Sequence, residues 1–112
     1  MSTLDSLEKI REICLKLDRA YEKLSHGAPC FFIEKKRQFC SFVDGIHGDD
    51  RLSIWVPARP GIQDMLVAED PEIYFRPPYV GPSGWVGIRL DMGLDWEAIE
   101  EHIIAAHEFA NR

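Results

Sequence analysis

The sequence predicts one α+β domain: a helix, an antiparallel sheet of about five strands and a closing helix, with a short helix inserted before the last strands. Two observations predict it. Apolar residues recur at three- and four-residue steps near both ends of the chain, the period of a helix with one buried face. Between them the period drops to two, in short runs separated by polar or charged turns, the pattern of hairpins. The whole chain of 112 residues is the size of a single domain.

Residues 3–17 form the first helix in this reading. Leu4, Leu7, Ile10, Cys14 and Leu17 make its apolar stripe, with Ile13 beside it. Asp5, Glu8 and Glu12 alternate with Lys9, Arg11 and Lys16 on the solvated side, and Glu12 to Lys16 is a favourable i,i+4 pair. Ser2 or Thr3 is the N-cap. A short strand over 20–24 precedes His26-Gly27. Residues 29–33 and 38–43 are Phe-rich strands joined by the charged tip Glu34-Lys35-Lys36-Arg37. Residues 44–50, with His47 among them, form a polar turn, and 52–56 is the next strand.

The segment Pro57-Ala58-Arg59-Pro60-Gly61 breaks the sheet. Pro60 sits in the first turn of a helix running to about Glu69, which buries Ile62, Met65, Leu66 and Val67 or Ala68. Residues 72–75 are extended, 77–84 a stiff Pro-rich loop, and 85–91 a strong strand. Asp95 caps the last helix, which runs through Ala110 and buries Ile99, Ile103, Ala106 and Phe109 or Ala110. Alternation then assigns faces. Val86, Ile88 and Leu90, with Leu52, Ile54 and Val56, point toward the helices. Trp85 and Arg89, with Ser53 and Trp55, point the other way. That second face is to be covered by the Pro-rich loop and short helix, a second subunit or a ligand.

Composition narrows the function classes. Thirteen Lys and Arg stand against 19 Asp and Glu, a net charge of −6, which disfavours a surface built to grip nucleic acid throughout. The acidity is uneven: residues 1–26 are neutral, 27–62 carry +1 and 63–112 carry −7. No apolar run has the length of a membrane helix. The first residues lack a signal peptide's basic and apolar regions, so a cytoplasmic location is expected, with no membrane partner. Cys14, Cys30 and Cys40 are then reduced thiols that serve as small buried hydrophobes. None is spaced as C-x-x-C, and His102 and His107, about 140° apart on a helix wheel, do not share a ligand set. No metal or other cofactor is expected.

Several pieces together resemble the MmcQ/YjbR family of small bacterial proteins. They are His26-Gly27-Ala28-Pro29 leading into Phe31-Phe32, the Lys35-Lys36 turn with Phe39 behind it, and Leu52-Ser53-Ile54-Trp55. Tyr74-Phe75-Arg76-Pro77-Pro78-Tyr79, Gly84-Trp85-Val86-Gly87 and the acidic last helix through Phe109 complete the set. The resemblance implies a fold like that of CyaY and the secretion chaperones, and DNA binding through hairpins that act as wings. The cations placed to contact phosphates are Lys35, Lys36, Arg37, Arg51 and Arg59. Three such contacts imply a salt slope of about −2.7.

Site chemistry points to binding rather than catalysis. Gly81-Pro82-Ser83-Gly84 has the spacing of neither a nucleophile elbow nor a phosphate-binding loop. Asp91 and Asp95 fall at a strand end and a helix cap rather than at an acid–base pair. With no nucleophile–base pair or cofactor loop, an enzyme is not expected. His26, Trp55, Tyr79, Trp85 and Arg89 make up a candidate ligand or partner surface, since aromatics and Arg dominate binding hot spots. Two binding readings follow, DNA at the hairpin cations or a protein partner or second copy on the aromatic face. A third reading, a small-molecule enzyme, would require a pocket where His26 or Arg89 meets Tyr79.

Overall fold

The computed structural model describes residues 3–46 and 49–112. Helix α1 spans Thr3–Leu15 and is followed by β1 (Ala20–Ser25), β2 (Ala28–Ile33), β3 (Gln38–Ile46) and β4 (Asp49–Val56). Helix α2 (Ile62–Glu69), the two-residue β5 (Tyr74–Phe75), a 3-10 turn at Gly81–Ser83, β6 (Val86–Arg89) and α3 (Trp96–Ala110) complete the chain. The strands form one antiparallel sheet in the order β1-β2-β3-β4-β6-β5. The α+β class stands, with six strands in place of five.

The sixth strand is the weakly patterned one. β1 exposes Tyr21, Lys23 and Leu24, so burial gives it little sequence signal. It is held by all six register pairs to β2, by Tyr21 stacked on Phe32 at 5.6 Å, and by Arg11 bridging Glu22 at 2.8 Å. Its turn to β2 is His26-Gly27 with Ser25 opposite Ala28; both turn residues have positive φ, 52° and 81°. Two left-handed residues are what a two-residue hairpin turn requires. His26 therefore sits in a strand-to-strand turn.

The polar turn expected over 44–50 is shorter than that. β3 continues to Ile46 and β4 begins at Asp49, with Asp44 opposite Leu52 and Ile46 opposite Asp49 across a bulge. Asp49, itself buried, accepts from the Arg51 amide at 2.9 Å and from its guanidinium at 3.0 Å, so a polar residue is accommodated inside the ladder by local bonds. The expectations for Ser2 and His47 lie outside the described residues, and Thr3 is a helical residue. Helix α2 starts after Gly61, whose φ of 89° makes the N-cap, so Pro60 stays outside it. Of its apolar positions Leu66 is buried and Met65 is 52% exposed.

The principal core lies between the sheet and helices α1 and α3. Ile10, Cys14, Phe31, Phe39, Cys40, Ile54, Val56, Ile88, Ile99 and Ile103 pack in it. Asp95 accepts the Ala98 amide at 2.9 Å and starts α3 as expected. A bulge sets the inner edge of the sheet: Phe31 pairs with Cys40 and Phe32 with Gln38, leaving Phe39 as the extra residue. Phe39 joins Cys40 on the helical side and meets the His107 ring edge-on at 5.1 Å, while His107 bonds the Asp18 carbonyl at 2.9 Å. Gln38, Ser41 and Val43 are left for the opposite face.

Candidate functional site

The second sheet face carries a smaller apolar cluster. Val43, Trp55 and Phe75 are buried there, with Ile46, Val80 and Trp85 packed against them. Phe75 lies directly over Gly87, where a Cβ would fall 2.3 Å from its ring. The loop after β5 crosses this face. Gln63 of α2 fixes it by donating to the Gly81 carbonyl at 2.8 Å and to the Trp85 carbonyl.

Loop and sheet do not close on each other. Between them is a cavity of about 440 Å³, lined by Ser25, His26, Ala28, Cys30, Gln38, Ser41, Val43, Trp55, Tyr79, Val80 and Trp85. Trp55 forms an inner wall, and Tyr79, 78% exposed and at a φ of 67°, stands at the loop side. The polar lining is partly self-satisfied. The Gln38 amide donates to Ser41 Oγ, Cys30 Sγ lies 3.5 Å from the same oxygen, and His26 Nδ1 is 3.2 Å from Ser25 Oγ. Burial pushes the Cys30 thiol above its usual range, so it is a protonated donor at neutral pH.

A second hollow adjoins the first. Its volume is about 230 Å³, and its lining includes Arg37, Pro57, Phe109 and Arg112. Gln38 and Trp85 line both spaces. Arg112 lies over the Phe109 ring at 4.0 Å and Arg59 over it at 5.4 Å. Among the described residues, no ion pair engages Arg37, Arg59 or Arg112.

A family model described as YjbR matches residues 15–109. The chain belongs to the YjbR family. Among solved structures the YjbR chain is similar to a crystal structure of the Deinococcus radiodurans protein DR2400, described by the family-model domain DUF419. The TM-score is 0.80 at 16% identity, over 95% of this chain and 78% of that one. At that identity the likeness concerns the fold. No curated protein matches the chain.

In this YjbR protein the aromatic set converges in part. His26, Trp55, Tyr79 and Trp85 line one cavity. Arg89 shares the face but is turned to Asp91, at 3.2 and 3.4 Å, and does not line the cavity. The basic set divides. Arg51 sits at the start of β4, bonded to Asp49 and 4.0 Å from the Phe75 ring centre. Arg37 and Arg59 gather beyond the other end of β4, beside Phe109. Lys36 donates to the Asn111 carbonyl at 3.3 Å, and Lys35 is an exposed turn residue with a φ of 62°.

Sequence reasoning missed Ser25, Cys30, Gln38, Ser41 and Arg112. Gln38 and Ser41 carried a usable signal, as polar residues inside a Phe-rich strand. Arg112 carried none, because its neighbours come from three distant segments. No described group of three or more His, Cys, Asp or Glu could hold a metal ion. No described helix is long and apolar enough to cross a membrane.

Proposed function

We propose that this YjbR protein is a non-enzymatic binding domain that takes a planar organic ligand in the aromatic cavity of its second sheet face. The observation that carries this reading is the meeting of Trp55, Tyr79 and Trp85, from a strand, a loop and a strand entrance, around one space of about 440 Å³. Ligand cavities run from about 300 to 1,000 Å³ and combine apolar walls with a few polar groups. The helical side already supplies the main core, so an unfilled aromatic space on the other side calls for an occupant.

Binding rather than catalysis is supported by the polar groups present. The Cys30 thiol is held protonated, which removes the thiolate a nucleophile needs. Ser25 and His26 are hydrogen-bonded, but no described carboxylate orients the imidazole as a third member. The charged-wing reading of DNA binding has less to support it. Arg51 is spent on Asp49, Lys36 on the end of α3, and the two lie at opposite ends of the sheet.

Adenosine, a neutral probe with a planar base, tests the reading through tryptophan fluorescence. A saturable change is expected in the wild type, weakened about 5- to 100-fold in Tyr79→Ala, the range that loss of one aromatic stacking partner gives. No saturable change at millimolar adenosine would contradict it. Sedimentation gives the competing outcome: a dimer that Tyr79→Ala dissolves would assign the face to a second copy of the chain.

A further inference from the structure

We infer that the ligand of this cavity carries an anionic phosphate, held by Arg37 and Arg112 in the adjoining hollow, so that the site takes a nucleoside phosphate unit. The inference rests on the aromatic cavity being a ligand site and adds the chemistry of what enters it. Three observations converge on it. The two spaces are neighbours that share Gln38 and Trp85 in their linings. The first has the aromatic walls that stack a base, and every base offers a π-face. The second presents two guanidinium groups, with a third from Arg59 over the same Phe109 ring. Guanidinium forks match phosphate oxygens two at a time.

Charge makes the arrangement informative. In a chain of net charge −6, with seven ion pairs formed elsewhere among the described residues, Arg37 and Arg112 border one hollow and Arg59 lies over the same Phe109 ring, all three exposed and none in an ion pair. Part of their role is structural, because cations near the last turn of α3 offset its negative end. That role accounts for Lys36, which bonds the Asn111 carbonyl, and for Arg19, which bonds the Asn111 side chain. It does not require Arg37 to border the hollow that opens toward Trp85. Base in one space and phosphate in the other, joined by a sugar, is the ligand whose parts match the two linings.

The test compares adenosine, adenosine monophosphate and a single-stranded oligothymidylate by tryptophan fluorescence, to which Trp85, bordering both spaces, contributes. The monophosphate is expected to bind at least tenfold more tightly than adenosine, as hydrogen bonds to a charged group imply. Arg37→Ala and Arg112→Ala should each remove most of that advantage while leaving adenosine binding unchanged, with only a small fall in melting temperature from the lost helix-end charge. Arg37→Lys should restore part of it. An oligomer that binds more tightly than the monophosphate, with a salt slope near −1.4 for two phosphate contacts, would locate the unit within a single strand rather than in a free nucleotide. Equal affinities for adenosine and the monophosphate would overturn the inference and leave the aromatic site intact. No binding of any of the three would overturn both. A fall in melting temperature without a change in binding would reduce Arg37 and Arg112 to helix-end supports and overturn it as well.

Discussion

Gly87 and Phe75 show how tightly single residues are specified on the second sheet face. The ring of Phe75 lies where a Cβ at position 87 would be, with three ring carbons 2.3 to 2.6 Å away. Gly87→Ala is expected to cost about 2 kcal/mol, the usual scale for forcing atoms into a packed site. Urea unfolding measures this, and coupling to Phe75→Leu should appear as a non-additive double variant. A second residue-scale effect concerns His102, whose Nε2 lies 2.8 Å from the Tyr74 hydroxyl. Burial holds the imidazole below its usual pKa. Between that lowered value and about 6.5 the unfolded chain binds a proton the folded chain does not, so stability falls as pH drops through this window. The melting temperature of the wild type should therefore fall more steeply with acidification than that of His102→Gln. Identical slopes would show that His102 does not contribute. The pairing with Tyr74 was not legible in the sequence, because the two lie 28 residues apart and nothing local marks either.

At the scale of elements, the loop over the cavity is positioned by a side chain from outside it. Gln63 donates to the carbonyls of Gly81 and Trp85, and these bonds fix the height of the loop above the sheet. Gln63→Ala should cost about 1–2 kcal/mol, since two bonds of ordinary strength are lost. It should also raise amide exchange across residues 79–85 without affecting β2 and β3; uniform exchange would show that the loop holds its own shape. Asp95→Ala should cost about 1 kcal/mol through the lost cap, read as a lower urea midpoint with an unchanged slope. The cap was legible because Asp before an apolar helical stripe is a local signal. The strands of the two faces were legible for the same reason: Val86 and Ile88 alternate with Trp85 and Gly87. β1 was faint because no residue of this edge strand is fully buried, so neither face imposes an apolar pattern. The bulge at Phe39 was hidden because it depends on the register with β2, which no stretch of β3 encodes alone. That bulge turns Gln38 and Ser41 to the same side, so their polarity was visible in the strand but their shared cavity face was not.

Across the whole molecule, the sheet divides two jobs between its faces. One face is closed by α1 and α3 over a continuous aliphatic and aromatic core. The other has a smaller cluster, a bridging loop and an open aromatic cavity. Net charge is divided too. Seven units of excess negative charge lie in residues 63–112, yet Arg112 from that acidic stretch joins Arg37 and Arg59 at one end of the sheet. Segment sums could not show this, because three cations from three segments meet only in the fold. The most direct measurement is a two-dimensional amide NMR titration of the intact protein with adenosine monophosphate. Shifts are expected to cluster on residues 25–30, 37–43 and 79–85, with the Trp55 and Trp85 indole signals moving and the outer faces of α1 and α3 unchanged. No shifts at millimolar nucleotide, or shifts confined to the helical face, would contradict a ligand site on the second face of the sheet.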